Sequence, residues 1–176
     1  MLIVILVSVI ICCGFFLMYL LVGIPLLGFF SMDIKIIFQL FLTVIFLAIA
    51  FTAIYTLVAM SSSNKAVTAV ICILLTFLLL FFGMQLSQML SQPETVLGMT
   101  IEEGVQISKE FPNPNYLNTK ERKIVQFVCD FTPGGQVAQC VSMDAMNLPV
   151  LPLYSSMIIL LTTGIGLLCF KKKDLK

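Results

Sequence analysis

Residues 36–84 read IIFQLFLTVIFLAIAFTAIYTLVAMSSSNKAVTAVICILLTFLLLFFGM, and this stretch decides the fold. Its one charged side chain is Lys65, which closes the polar run Ser61-Ser62-Ser63-Asn64. On either side lie the apolar segments Ile36–Met60 and Ala66–Met84. Each comes close to the roughly 20 helical residues that cross a hydrocarbon layer about 30 Å thick. Backbone N–H and C=O groups find no water in such a layer, so each segment must satisfy them internally as a helix. Two spans joined by a tight turn are therefore expected here.

Working outward, Asp33 and Lys35 punctuate the chain before this pair, and Leu2 to about Val22 forms an earlier span. Apolar sequence continues to Phe30 through Gly23-Ile24-Pro25, where the proline ends or kinks the helix. On the far side, Val150–Phe170 is apolar again and is followed by Lys171-Lys172-Lys173-Asp174-Leu175-Lys176. The expected fold is an all-α membrane protein, a single transmembrane domain over 1–176. Its spans are at 2–22, 36–60, 66–84 and 150–170, with an outer amphipathic helical segment between the third and fourth.

Composition agrees. The 176 residues are 60% hydrophobic and 11% charged, whereas soluble domains are about a quarter charged, so a water-soluble globule and a disordered chain are both excluded. The expected surroundings are a lipid bilayer. A net charge of +1 gives no electrostatic basis for binding nucleic acid. The lysines after the fourth span are of the kind retained in the cytoplasm. Four spans then put both termini inside, with Lys65 in a cytoplasmic turn and 85–149 outside. Lys35 alone runs against this orientation. Met1 is followed at once by hydrocarbon-depth residues with no basic flank, which suggests a chain lacking upstream spans.

No Asp, Glu, Lys or Arg lies well inside any of the four spans. Carriers driven by an ion gradient normally place such groups at membrane depth, so energy for any transport should enter from elsewhere. Ala48, Thr52 and Thr56 recur every four residues on the second span, and Ala69, Cys72 and Thr76 share a face of the third. Small residues in this pattern let helices pack closely, while a polar strip along a translocation path is the alternative reading.

Catalytic, cofactor-binding and metal sites are all expected to be none. The chain has no histidine, no CxxC and no phosphate-cradling glycine loop. Glu102-Glu103 lacks the arginine and histidines that an intramembrane prenyl-protein protease would need. Cys12, Cys13, Cys72 and Cys169 lie in apolar spans, while Cys129 and Cys140 lie in the outer segment and could pair.

That segment, 85–149, divides near Leu117. The first part is expected to be irregular, interrupted by Pro93, Gly98, Gly104 and Pro112-Asn113-Pro114-Asn115. Then Asn118 and Glu121 form a capping box, and Ile124, Phe127, Val128 and Phe131 follow at i, i+3, i+4 and i+7. Lys120, Arg122, Lys123 and Asp130 occupy the rest of that cylinder. A second short helix is expected from Gln136 to about Met146, after Thr132-Pro133-Gly134-Gly135. The simpler reading is a helix lying on the membrane or capping the bundle, and the sharper one is a re-entrant element.

Three stretches in order, Pro112–Leu117, Gln126–Gln136 and the tail Gly166–Lys176, resemble the C-terminal two-thirds of an ABC-2 type permease, the membrane subunit of a bacterial ATP-binding-cassette transporter. In the second stretch Thr132 stands where those permeases carry leucine before a proline-small-glycine-glutamine run. The resemblance implies that the four spans correspond to the third through sixth of six. It further implies a separate ATP-binding cassette ATPase subunit as partner, a second permease copy or homologous permease as dimer partner, and a bacterial cytoplasmic membrane as location. No cofactor is expected in this chain. The competing reading is a non-transporting immunity, sensor or anchoring protein that binds through its outer segment.

Overall fold

A computed structural model describes residues 2–23, 33–62, 64–102, 105–142 and 147–174. The fold is mostly helical, with α1 at Leu2–Met18, α2 at Ile34–Ser61, α3 at Lys65–Leu90, α4 at Thr119–Phe131, α5 at Pro133–Ser142 and α6 at Leu151–Asp174. Helices α1, α2, α3 and α6 are long and apolar enough to cross a membrane. The last turn of the first span widens into a π-helix over Tyr19–Gly23. The proline kink expected at Pro25 and the end of the helix expected at Met146 lie outside the described residues.

Helix α2 is the hub. It packs most extensively on α6, then on α1, and its buried face is built from Thr43, Leu47, Ala50 and Ala53. These positions recur at three- and four-residue spacing, and small side chains there allow close helix approach. The hydroxyls of Thr43, Thr52 and Thr56 donate to carbonyls one turn earlier, of Gln39, Ala48 and Thr52. Bonded in this way, they serve the packing reading of the small-residue pattern. On α3, Thr76 does the same to Cys72 and meets Tyr55 of α2 at 2.6 Å, a hydrogen bond between the spans. Phe16 of α1 stacks on Phe41 of α2 with ring centroids 4.0 Å apart.

Two expectations are corrected. The third span does not stop at Met84 but continues through Gln85, Ser87 and Gln88 to Leu90. Its end is held by the Arg122 guanidinium, which donates to the Leu90 carbonyl, one of the orphan acceptors at a helix C-terminus. The stretch expected to be irregular instead forms an antiparallel hairpin, β1 at Thr95–Glu102 and β2 at Val105–Pro112, with Val96 opposite Phe111. The fold is therefore not purely helical. Gly98 is tolerated because it faces Lys109 across the ladder and leaves room for the Phe111 ring. Asn113 ties off the base of the hairpin. Its backbone N–H donates to the Glu94 carbonyl, and its side-chain amide donates to the Pro93 carbonyl and Gln92 Oε1.

Candidate functional site

The site grows from the chain reversal between α4 and α5. The Asn118 carboxamide accepts from the backbone of Lys120 and Glu121, and the Glu121 carboxylate accepts from the Asn118 N–H, so the expected capping box forms. Starting beside Leu90, α4 runs back along α3 until Thr132. Pro133 then opens α5, where its missing N–H costs nothing in the first turn. Helix α5 runs alongside α3 in the opposite direction to α4.

Contact at the turn is backbone to backbone. A β-carbon on Gly134 would overlap the Leu79 carbonyl, and one on Gly83 would overlap the Gly134 carbonyl. The tip therefore sits against Leu79–Gly83, inside the apolar length of α3. Eleven residues from Leu90 to Leu79 correspond to about 16 Å along the helix. The hairpin thus follows α3 past the polar Gln85, Ser87 and Gln88 and reaches Leu79, five residues inside the apolar stretch that ends at Met84. A cap on the bundle and a re-entrant element both accord with this close seating. The physical reason is that two glycines let the backbones meet where side chains would hold them apart.

Closing the hairpin places polar groups in its interior. Asp130, which the sequence places off the apolar stripe of α4, is only 3% exposed. Its Oδ1 accepts from Gln126 Nε2 at 2.7 Å and Gln139 Nε2 at 2.9 Å, and its Oδ2 accepts from Asn147 Nδ2 at 2.9 Å. Its main-chain carbonyl accepts from Gln136 Nε2 at 2.8 Å, and Gln136 Oε1 accepts from Ser155 Oγ of α6 at 2.6 Å. Gln136 and Ser155 are fully buried. One carboxylate thus links α4, α5 and the chain leading into α6. Every side-chain donor described for it is a neutral amide.

Above this cage a cleft of about 430 Å³ opens between α4 and α6. Gln126, Asp130 and Asn147 reach it, Phe127 and Tyr154 wall it, and Thr119, Arg122 and Lys123 rim it. The Phe127 and Tyr154 rings meet edge to face at 5.9 Å, and Phe131 completes the aromatic group. Arg122 is turned elsewhere, with its guanidinium over the Tyr116 ring and bonded to Leu90.

Cys129 and Cys140 are free thiols. Cys129 is wholly buried, with its sulfur 3.8 Å from the Gly135 carbonyl oxygen it faces and 3.5 Å from Gln139 Nε2. No group of three or more potential metal ligands occurs among the described residues. Sequence reasoning assigned no site residue, and it missed Asp130 and its amides. The available signal was the run of uncharged amide side chains, Gln126, Gln136, Gln139 and Asn147, interspersed with only two carboxylates, Asp130 and Asp144. Comparison with protein families, with curated proteins and with solved structures returns no match.

Proposed function

We propose that this chain is a permease component of an ABC-2 type transporter in a bacterial cytoplasmic membrane, with ATP hydrolysed by a separate cassette subunit. The observation that carries the reading is the α4–α5 hairpin, packed backbone to backbone against α3, which holds no charged residue from Ala66 to Leu90. Such a wedge between α2, α3 and α6 can open or close a path by shifting as a unit, because irregular backbone at membrane depth is tolerated where protein surrounds it.

The manner in which Asp130 is held supports an external energy source. A proton relay needs a succession of titratable groups, whereas the neighbours hydrogen-bonded to Asp130 are amides. The ordered resemblance of the Pro112, Gln126 and Gly166 stretches supports the family assignment. The lysines at 171–173 support a cytoplasmic C-terminus. Helices α1 and α3 each leave a broad apolar face exposed, including Ile3, Ile10, Phe15, Leu74, Phe77 and Phe81, which lipid and a second permease copy would cover together.

Purification in mild detergent from the native membrane tests the proposal. The expected result is a companion subunit with ATPase activity, and vesicles holding the complex that move solute only when ATP is supplied. A chain isolated without an ATPase, binding a soluble ligand through its outer segment, would favour the anchoring or sensor reading. The projecting β1–β2 ribbon, whose extensive contacts are with itself, is the feature that reading would use.

A further inference from the structure

We infer that the cleft over Asp130 binds an organic cation, a molecule that carries a protonated amine on an apolar body. The inference deepens the permease reading, since such a molecule would be its cargo, yet the binding is a property of this chain alone.

Charge is the first argument. A carboxylate offers about four acceptor positions. Three are described as filled, two on Oδ1 and one on Oδ2. Asp130 and Asn147 both line the cleft, so the carboxylate stands next to that space. Amide donors satisfy hydrogen-bonding capacity but leave the negative charge without a countercharge, and an isolated buried carboxylate is costly. A ligand ammonium group would supply the countercharge that the amides do not.

The walls agree with that ligand. Phe127 and Tyr154 present aromatic surface of the kind that attracts an ammonium group and also covers an apolar body. About 430 Å³ falls within the range of small-molecule pockets and accommodates a phenylalkylamine or a somewhat larger amine. Of the two basic residues at the rim, Arg122 is committed to the Leu90 carbonyl and the Tyr116 ring. Lys123 is exposed at the mouth on a flexible stem, where it lowers the affinity for a cation. An anion attracted by Lys123 would meet Asp130, and a neutral solute would forgo the charge pair.

Three radiolabelled probes of like size test this by equilibrium dialysis against the detergent-solubilised full chain: phenethylammonium, 2-phenylethanol and 3-phenylpropionate. The cation should bind saturably, and the alcohol and the carboxylate at least about tenfold more weakly. Lys123→Gln, at an exposed position, should tighten the cation by roughly two- to fivefold, more at low salt than at high salt. Asp130→Asn should abolish the preference for charge, with circular dichroism melting recorded to show that the variant is folded. If Asp130→Asn does not fold, the Lys123→Gln result and the ranking of the probes decide the matter on their own. Equal binding of all three probes, a preference for the carboxylate, or weaker cation binding in Lys123→Gln would overturn the inference. Cation binding with no ATP-driven transport would defeat only the permease reading. ATP-driven export alongside indifference to the three probes would defeat only this one.

Discussion

The Asp130 carboxylate accepts from Gln126 on α4, Gln139 on α5 and Asn147 beyond them. Replacing it with alanine would leave the amides of Gln126, Gln139 and Asn147 without their common acceptor. Of these donors Gln139 is buried, Gln126 half-buried and Asn147 exposed, so at about 1–3 kcal/mol for an unpaired buried donor Asp130→Ala should lose about 1–3 kcal/mol, and Asn147→Ala, which removes one exposed donor, clearly less. Thermal melting of both variants in the same detergent checks the order, and equal loss would refute the shared-acceptor account. Glycine provides a second comparison. Gly134→Ala forces a β-carbon into the Leu79 carbonyl and should cost roughly 1–3 kcal/mol, whereas at Gly164 an added β-carbon meets nothing within 4 Å. Gly164→Ala should therefore be neutral or slightly stabilising on the same melting curve. Neither role was legible beforehand. Helical periodicity located Asp130 off the apolar stripe of α4, but it could not tell that the opposite face would be covered by α5. Pro133-Gly134-Gly135 read as a stop, and its use as a contact surface depends on Gly83, fifty residues away in sequence.

Among the elements, α4 is the one whose ends the sequence states most fully. Its capping box was readable from Asn118 and Glu121 because both partners lie within one turn. Asn118→Ala should cost about 1 kcal/mol and fray the first turn of α4, measurable as faster amide hydrogen exchange at Lys120 and Glu121. Unchanged exchange there would show that Arg122, anchored to Leu90, holds the helix start unaided. The β-ribbon is the converse case. Pro93, Gly98 and Pro112 argued against order, yet the alternation across Val96–Phe111 and the Asn113 clasp suffice to build a ladder. Since a two-stranded hairpin is marginal by itself, excising residues 95–112 and closing the gap with a short glycine–serine link should leave the melting of the helical bundle unchanged. A marked drop would reveal packing of the ribbon against the bundle. Local signals with local partners were legible. Those completed by distant residues were not.

For the molecule as a whole, hydropathy located two apolar stretches closely: 36–60 lies within Ile34–Ser61, and 150–170 matches the apolar stretch Leu151–Cys169 of α6, which continues as helix through the lysines to Asp174. It failed at Leu90, where α4 shelters an end that polar residues would otherwise mark. Helices α2, α3 and α6 pack around the α4–α5 hairpin, and the functional reading stands on how deep that hairpin lies. That depth can be read with a nitroxide at position 137, on α5 near the tip, in a variant whose native cysteines are replaced. In lipid bilayers its collision rates with oxygen and with a water-soluble nickel complex are compared with those of labels at positions 80 and 120. The account predicts that the label at 137 matches the one at 80, open to oxygen and shielded from nickel, while the label at 120 is open to nickel. A label at 137 as accessible to the nickel complex as the one at 120 would contradict it.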